Sequence, residues 1–298
     1  MKAIDDTTLN TRYLANTHAV ENVSCELADY NMYAQDTALR EAVQGAVLVC
    51  CQLANNEVGT VQDIGRVAAL THTAGAVLHV DATQGIGRVP FSMRSSGADL
   101  VTFASHKIHG PKGAGALVAR AGVPLRAMMQ GGQQEHGLRP GTENVPAIVG
   151  FGAACALYER EGTREAARLA ALRNELAGRL AHAIPDGVGI LGPYAPTAIG
   201  AGGHWPSRLG HNLSVWIAGV RGRALVEALA DRVCCSTGAA CNCRDARSTD
   251  VLRAMGVSDA RGEEVVRFGL GRFTTADEVA RAAQIVADAA QSLRGRGR

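Results

Sequence analysis

The sequence predicts an α/β fold with a mostly parallel central sheet flanked by helices, followed by a smaller C-terminal α+β part. Short apolar runs alternate with helical patterns through the first half of the 298-residue chain. Polar and glycine-rich residues follow the ends of these runs, where open α/β sheets place their ligands. Past Pro146 the composition changes to long stretches rich in Ala, Leu, Arg and Glu.

The elements of the first half follow from the length and composition of each segment. Strands are predicted at residues 46–53 (AVLVCCQL), 77–82 (VLHVDA), 99–104 (DLVTFA) and 115–119 (GALVA). Each is a short apolar run bounded by turn residues, which is typical of a buried strand. Residues 62–73 show helical spacing of apolar positions and are predicted to form a helix between the first two strands.

The second half contains more helix than strand. One or two long helices are predicted from Ala147 to about Ala183, and a loop rich in Gly and Pro follows at 185–210. Strands are then predicted at 211–217, 232–236 and 265–270, and helices at 222–231, 248–255 and 275–292. We therefore expect a large domain over residues 1–150 and a small domain over residues 151–298.

Charge and hydropathy exclude several classes of function. The 30 Lys and Arg residues nearly balance the 28 Asp and Glu residues, so neither nucleic acid nor an anionic membrane is expected as a partner. No apolar run reaches the roughly 18 residues that a membrane-spanning helix needs. The first 20 residues lack the layout of a secretory signal, so a cytosolic location is expected.

Eight cysteines in a chain without a secretion signal indicate core residues, metal ligands or reactive thiols rather than disulfides. Four lie in apolar segments and are predicted to be core: Cys25, Cys50, Cys51 and Cys155. The other four form a cluster: Cys234, Cys235, Cys241 and Cys243. Structural zinc usually pairs cysteines as C-x(2–4)-C, whereas this cluster has CC and C-x-C. From the residues alone, an inert buried thiol is favoured, and zinc or a reactive thiol stays open.

A carboxylate and a lysine follow two neighbouring predicted strands. Asp81 ends one apolar run, and Lys107 comes shortly after the next. Such a pair suits a pyridine cofactor, because the carboxylate keeps the ring nitrogen protonated and the amine binds the cofactor carbonyl. Singly, a turn-capping Asp81 and a solvated Lys107 would be the favoured interpretations. Gly110, Gly113 and Gly115 shift the balance, because glycines after a lysine let the backbone approach a ligand.

Six motifs carry a family resemblance, in the family's order and from about residue 15 to the end. They are ANNEVGTVQDI (54–64), HVDATQ (79–84), SHKIHGPKGAGAL (105–117), GGQQEHGLRPGTENVPAIVG (131–150), STGAAC (236–241) and VRFGLGRFTT (266–275). Through them the chain resembles the class V aminotransferase family of fold type I pyridoxal-phosphate enzymes, specifically cysteine desulfurases and selenocysteine lyases. The resemblance implies a fold type I architecture and pyridoxal 5'-phosphate as cofactor.

The resemblance also implies which residues bind the cofactor. Lys107 matches the lysine that forms the Schiff base, and Asp81 matches the partner of the pyridinium nitrogen. Gln84 matches the residue that hydrogen-bonds the phenolic oxygen of the ring. Ser105 and His106 match contacts to the cofactor phosphate.

Further roles implied by the resemblance concern the substrate and a second subunit. Thr142 matches the residue that reaches the cofactor phosphate of the other subunit, so a homodimer is expected. His18 matches the histidine that stacks on the ring and assists proton transfer. Asn56 and Arg267 match residues that hold the substrate α-carboxylate, and Asn56 also counts as a cofactor contact. A guanidinium suits a carboxylate because its paired N–H groups meet both oxygens.

Cys241 matches the catalytic cysteine of the family and is implied to carry the persulfide. A desulfurase of this kind converts L-cysteine to L-alanine and passes the sulfur to an acceptor, such as an iron–sulfur scaffold or a tRNA-thiolation protein. The spacing from Cys241 to Val251 favours desulfurase over the alternative, a selenocysteine lyase acting on L-selenocysteine. Transamination is disfavoured because it needs no thiol there. Cys243, which the family does not normally have, is either idle or able to form a link with Cys241.

The N-terminus departs from the family pattern. Relatives carry a segment before the position of His18 that includes a phosphate-binding turn, yet residues 1–17 contain no glycine. The chain is therefore expected to be truncated, and a non-catalytic relative that acts as a partner-binding subunit is a second hypothesis. Retention of Asp81, Lys107, Cys241 and Arg267 argues against long decay.

Overall fold

The computed structural model describes residues 11–14, 39–185, 187–193, 208–238 and 249–296. These residues form two compact units. The first contains the described residues up to 53 together with 63–162, and the second contains 54–62 together with those from 163 onward. The domain division at residue 150 stays a prediction.

The first unit is built on a five-stranded sheet in the order β1-β2-β3-β4-β5. The strands are β1 (Thr11–Leu14), β2 (Leu48–Gln52), β3 (Val77–Asp81), β4 (Leu100–Ala104) and β5 (Gly115–Ala119). The first four are parallel and β5 is antiparallel to β4. The predicted α/β class with a mostly parallel sheet is confirmed. Strand β1 was not predicted, because its sequence TRYL contains no run of consecutive apolar residues.

Helix α1 (Ile64–Thr73) covers one face of this sheet. Its N-cap is Asp63, whose Oδ1 accepts a hydrogen bond from the backbone N–H of Arg66 at 3.1 Å. The buried residues of the helix are Ile64, Val67, Ala68, Leu70 and Thr71. Alternate residues of β2 and β3 are buried as well, and each buried aliphatic side chain contributes about 1.5–3 kcal/mol. A short helix, α2 (Met93–Ser96), precedes β4.

One continuous helix, α3 (Val145–Ala183), fills the region where one or two helices were predicted. The side chain of Asn144 stabilises its start by accepting a hydrogen bond from the backbone N–H of Ala147 at 3.3 Å. Within the described part of the chain, neither α3 nor any other helix is long and apolar enough to cross a membrane.

The described residues of the second unit form a three-stranded antiparallel sheet and, after α3, four helices. The strands are β6 (Val188–Ile190), β7 (Asn212–Ile217) and β8 (Val265–Gly269). The helices are α4 (Gly222–Leu229), α5 (Asp250–Ala254), α6 (Asp259–Gly262) and α7 (Ala276–Arg296). Fully buried residues of β7, α4 and α7 form the core with the C-terminal part of α3, among them Leu180, Leu213, Val215, Leu225 and Val286.

Two sequence-based assignments in this unit are wrong. No strand forms over residues 232–236. The N–H groups of Arg232 and Val233 donate to the carbonyl of Leu229 and close the end of α4, and Ser236 makes an isolated bridge with Arg267. Strand β6 lies inside the segment predicted as a loop, because three residues are too few to show a period.

Candidate active site

Asp81 and Lys107 lie at the carboxyl ends of two neighbouring parallel strands. Asp81 is the last residue of β3 and pairs in register with Thr102 of β4. Lys107 lies in a single 3₁₀ turn, Ser105–Ile108, that directly follows β4. Because β3 and β4 run in the same direction, both residues lie at the same edge of the sheet, where open α/β sheets bind ligands.

Asp81 has a neighbouring imidazole on its own face of the sheet. The carboxylate Oδ1 of Asp81 accepts a hydrogen bond from the backbone N–H of Thr83 at 2.9 Å. Nε2 of His79 lies 3.0 Å from Oγ1 of Thr102, within hydrogen-bond distance. Burial lowers the pKa of His79, against a smaller opposing effect of Asp81, so the neutral ring is favoured. His79 stands in the HVDATQ motif, although no role for it was predicted.

The turn that carries Lys107 is held by an arginine from elsewhere in the first unit. Nη2 of Arg88 donates to the backbone carbonyl of Lys107 at 2.5 Å. Burial lowers the pKa of Arg88, while Tyr158 raises it through charge and a side-chain hydrogen bond. The Tyr158 ring also stacks on His109, with centroids 6.3 Å apart. These contacts fix the backbone of Lys107. The roles of Arg88 and Tyr158 could not be predicted, because both residues are distant from Lys107 in the sequence.

Ser105 provides a test of whether this site suits a phosphorylated cofactor. Its Oγ is fully buried and has no hydrogen-bond partner among the described residues. Leaving a buried hydroxyl without a partner costs about 1–3 kcal/mol, which a bound anion would offset. Gly110 lies against it, since a Cβ there would be 2.2 Å from the Ser105 Oγ. Half-buried Gln84 and exposed His106 complete the predicted set. A carboxylate, an amine and a free hydroxyl at one sheet edge fit pyridoxal phosphate.

Thr142 lies in the turn before α3 and is exposed. The segment around it is unusually apolar for a surface. Large hydrophobic side chains are exposed here, with Met128 at 98%, Val149 at 66% and Val145 at 59%, together with Met129, Leu138 and Ile148. Exposed apolar groups in such number mark an interaction surface.

Asn56 and Arg267 meet in the second unit. Nη1 of Arg267 donates to the backbone carbonyl of Asn56 at 2.7 Å, and Nη2 donates to Oγ of Ser236 at 3.0 Å. Burial lowers the pKa of Arg267, and the carboxyl group of Glu57 opposes this effect. The structure thus brings the two predicted carboxylate-binding residues together, with the guanidinium orientation set by two acceptors.

The loop that carries Asn56 is fixed by side-chain amides. Oδ1 of Asn55 accepts hydrogen bonds from the backbone N–H groups of Glu57 at 2.8 Å and Val58 at 3.0 Å. The amide of the buried Asn212 donates to the carbonyl oxygens of Asn56 and Glu57 at 3.2 and 3.3 Å. This loop is therefore rigid enough to present its side chains in one arrangement.

Two predicted catalytic residues, His18 and Cys241, lie outside the described residues, as do Cys25 and Cys243. The zinc alternative is untested for the same reason, because only Cys234 and Cys235 of that cluster are described. Elsewhere in the described chain, no group of three or more His, Cys, Asp or Glu side chains could hold a metal ion.

The described thiols differ in exposure. Cys51 is buried, as predicted, whereas Cys50 and Cys155 are half-buried. Burial raises the pKa of Cys51 to about 12 and that of Cys235 to about 11. Thiols with such pKa values carry almost no thiolate at neutral pH and make poor nucleophiles.

Comparisons with known proteins show which protein family the chain is similar to. The family model described as aminotransferase class-V matches residues 8–282. The chain is 42% identical over 259 residues to a protein named cysteine desulfurase IscS from Anaeromyxobacter sp. (strain Fw109-5). The aligned region covers 86% of this chain and 60% of that protein. The chain is 36% identical over 258 residues to cysteine desulfurase 2 of Trichormus variabilis, covering 86% and 62%.

Solved structures show the same likeness. A NIFS-like protein superposes with a TM-score of 0.74 at 33% identity, covering 85% of this chain and 64% of that one. A NifS-like protein from Rickettsia africae ESF-5 gives a TM-score of 0.74 at 27% identity, covering 87% and 66%. The predicted fold type I architecture is confirmed. The chain spans about 60% of the length of the curated relatives it matches.

Proposed function

The chain belongs to the aminotransferase class V family, and from that premise we propose that it acts as a pyridoxal-phosphate-dependent cysteine desulfurase. The observation that carries the proposal is the placement of Asp81, Lys107 and the unpartnered Ser105 hydroxyl at one edge of the sheet. Relatives named cysteine desulfurase support the choice of reaction. The substrate is then L-cysteine, the product is L-alanine, and Cys241 carries the persulfide.

The cofactor-binding residues have distinct tasks in this proposal. Pyridoxal phosphate, when bound, supplies an electron-withdrawing ring that stabilises the charge left when the substrate α-proton is removed. Lys107 holds the cofactor and accepts that proton on its amine, and Asp81 keeps the ring nitrogen protonated. Gln84 contacts the phenolic oxygen, and Ser105 and His106 hold the phosphate.

The remaining residues bind the substrate and move its sulfur. Arg267 and Asn56 hold the α-carboxylate of L-cysteine, and His18 assists proton transfer. The Cys241 thiolate attacks the substrate sulfur, so an S–S bond forms and the substrate Cβ–S bond breaks. The bonding pair stays with Cβ, which takes up a proton, and the return of the α-proton from Lys107 to Cα gives alanine. The persulfide then passes to an acceptor protein, for which an iron–sulfur scaffold in the cytosol is the expected class.

Reconstitution of the purified chain with pyridoxal phosphate tests the proposal. We expect a visible absorbance band and release of sulfide and alanine from L-cysteine, with slower release of selenide from L-selenocysteine. A faster reaction with L-selenocysteine would favour a selenocysteine lyase. A folded chain that gains no band would instead be a non-catalytic, partner-binding relative.

Arg267→Gln is expected to raise the KM for L-cysteine by about 10- to 100-fold, because a hydrogen bond to a charged group is worth about 1.5–3 kcal/mol. The absorbance of the bound cofactor should stay unchanged, since Arg267 contacts Asn56 and Ser236 rather than the Lys107 turn. Steady-state kinetics of Arg223→Gln, an exposed arginine on α4, provide the matched control. Equal KM values in the two variants would show that Arg267 does not bind the substrate.

We also propose that the chain forms a homodimer through the apolar segment around Thr142. The exposed side chains of Met128, Val145 and Val149 support this, because burying them against a second copy removes apolar area from water. Sedimentation equilibrium should give twice the 31.0 kDa mass of the chain. Val149→Glu should lower the measured mass to that of the monomer. Glu159→Lys, also in α3, is the control for a change of charge and should leave the mass unchanged. A wild-type monomer at micromolar concentration would contradict the proposal.

A further inference from the structure

His79 is an imidazole beside the predicted cofactor site to which the proposed reaction gives no role. It lies two residues before Asp81 in β3, and side chains at this spacing in a strand point to the same face of the sheet. Both residues are half-buried, whereas Leu78 and Val80, which alternate with them, are fully buried on the opposite face. His79 is therefore the next side chain along β3 from the carboxylate that is expected to bind the ring nitrogen.

Thr102 of β4 lies next to both residues. It pairs in register with Asp81, so these two side chains are neighbours on the same face of the sheet. Its Oγ1 lies 3.0 Å from Nε2 of His79, within hydrogen-bond distance. Because threonine is β-branched and restricted in χ1, this hydrogen bond holds the Thr102 side chain in one position beside Asp81.

The carboxylate of Asp81 has neighbours on several sides. Its Oδ1 accepts a hydrogen bond from the backbone N–H of Thr83 at 2.9 Å. Thr102 lies on the β4 side of Asp81, and Gln52, which also pairs in register with it, lies on the β2 side. A carboxylate confined in this way before a ligand binds loses little freedom on binding, which strengthens the contact with that ligand.

The charge of His79 matters as well as its position. Burial lowers the pKa of His79, against a smaller opposing effect of Asp81, which favours the neutral ring. A protonated imidazole in this place would attract the carboxylate and compete with the ring nitrogen of the cofactor. The neutral imidazole can hold Thr102 without that competition.

We propose that His79 is a positioning residue for the cofactor ring, whose hydrogen bond with Thr102 fixes the side chain next to Asp81 and so orients the carboxylate for the ring nitrogen. The identity of the cofactor rests on the proposed function, but cofactor binding is measured separately from desulfuration. Because His79 acts through Asp81, its effect should depend on the ring nitrogen and not on the phosphate or on Lys107.

The test compares pyridoxal phosphate with deazapyridoxal phosphate, an analogue in which a C–H group replaces the ring nitrogen. Both compounds keep the aldehyde and the phosphate, but only pyridoxal phosphate can bind Asp81 through a ring N–H. Absorbance titration of the chain freed of cofactor gives the apparent Kd for each compound. We expect His79→Leu to raise the Kd for pyridoxal phosphate about tenfold, as for the loss of one hydrogen bond, and to leave the Kd for the analogue unchanged.

Four further variants separate positioning from a general structural role. His79→Gln, which keeps a neutral hydrogen-bonding group near the Nε2 position, should retain nearly the wild-type Kd. Thr102→Val keeps the shape without the hydroxyl and should match His79→Leu. In an Asp81→Asn background, His79→Leu should cause no further loss, because residues that act through one contact are not additive. His72→Leu is the matched control, since Nε2 of His72 lies 2.8 Å from Oδ2 of Asp99, just before the start of β4.

The outcomes distinguish this inference from the proposed function. Equal losses for both compounds in His79→Leu would show a general structural role and overturn the inference, as would an unchanged Kd for pyridoxal phosphate. If His79→Leu does not fold, Thr102→Val decides between the same outcomes. A loss confined to pyridoxal phosphate, in a chain that releases no sulfide from L-cysteine, would support the positioning role and contradict the desulfurase proposal. A folded chain that binds neither compound would contradict both.

Discussion

Lys107→Ala is expected to abolish the visible absorbance of the bound cofactor and to reduce desulfuration by at least about 10²–10⁴-fold, the range for removal of a general base. In the proposed function, the variant loses both the amine that holds the cofactor and the group that accepts the α-proton. The fold should persist, because Lys107 is half-buried in a surface turn whose carbonyl is still bound by Arg88. Absorbance after dialysis against pyridoxal phosphate, followed by borohydride reduction and peptide mapping, measures the effect.

The sequence makes this mapping unambiguous, because the chain contains three lysines: Lys2, Lys107 and Lys112. Lys112→Ala is the matched control, since it is an exposed lysine of the same glycine-rich stretch. Arg88→Met should give an intermediate loss of cofactor binding, because the Lys107 carbonyl loses its donor while the amine stays. Reduction of the cofactor onto Lys112 in the wild-type chain would show that the assignment of Lys107 is wrong.

Strands β2, β3 and β4 could be predicted from sequence, because strands of a mostly parallel sheet form short, nearly continuous apolar runs. Strand β5 was also located, but it is antiparallel and mostly exposed, so its predicted burial is wrong. Strands β2 to β5 all occur within predicted segments. The failures have different causes. Residues 232–236 have strand-forming composition, yet Val233 uses its N–H to close α4. Strands β1 and β6 are too short or too polar to show a periodic pattern.

Some residues of the candidate site could be predicted from sequence, and others could not. The position of Asp81 and Lys107 at one edge of the sheet could be predicted from sequence, because Asp81 ends a strand, Lys107 follows the next one, and neighbouring parallel strands bring such ends together. Their supporting residues could not. The contact of Arg88 with the Lys107 carbonyl depends on how two loops pack. In the second unit, the hydrogen bond from the Asn212 amide to the Asn56 carbonyl likewise joins residues that are distant in the chain.

Cys241→Ser is expected to leave the cofactor absorbance intact and to stop release of sulfide from L-cysteine. A serine hydroxyl stays protonated at neutral pH, whereas a thiolate is the species that attacks sulfur. Exchange of the substrate α-proton with solvent deuterium should continue, because Lys107 is unchanged. Sulfide and alanine assays on the reconstituted chain, with deuterium exchange followed by mass spectrometry, measure the two steps separately.

The result for Cys241→Ser identifies the nucleophile only if the other cysteines are tested as well. Burial raises the pKa values of Cys50, Cys51, Cys155 and Cys235, which disfavours each of them as the nucleophile. Cys234 is exposed, so Cys234→Ser is the necessary control, and Cys243→Ser tests whether a link with Cys241 forms during turnover. Desulfuration at the wild-type rate in Cys241→Ser would rule out the persulfide role. Loss in Cys241→Ser with retention in Cys234→Ser would assign the persulfide to Cys241.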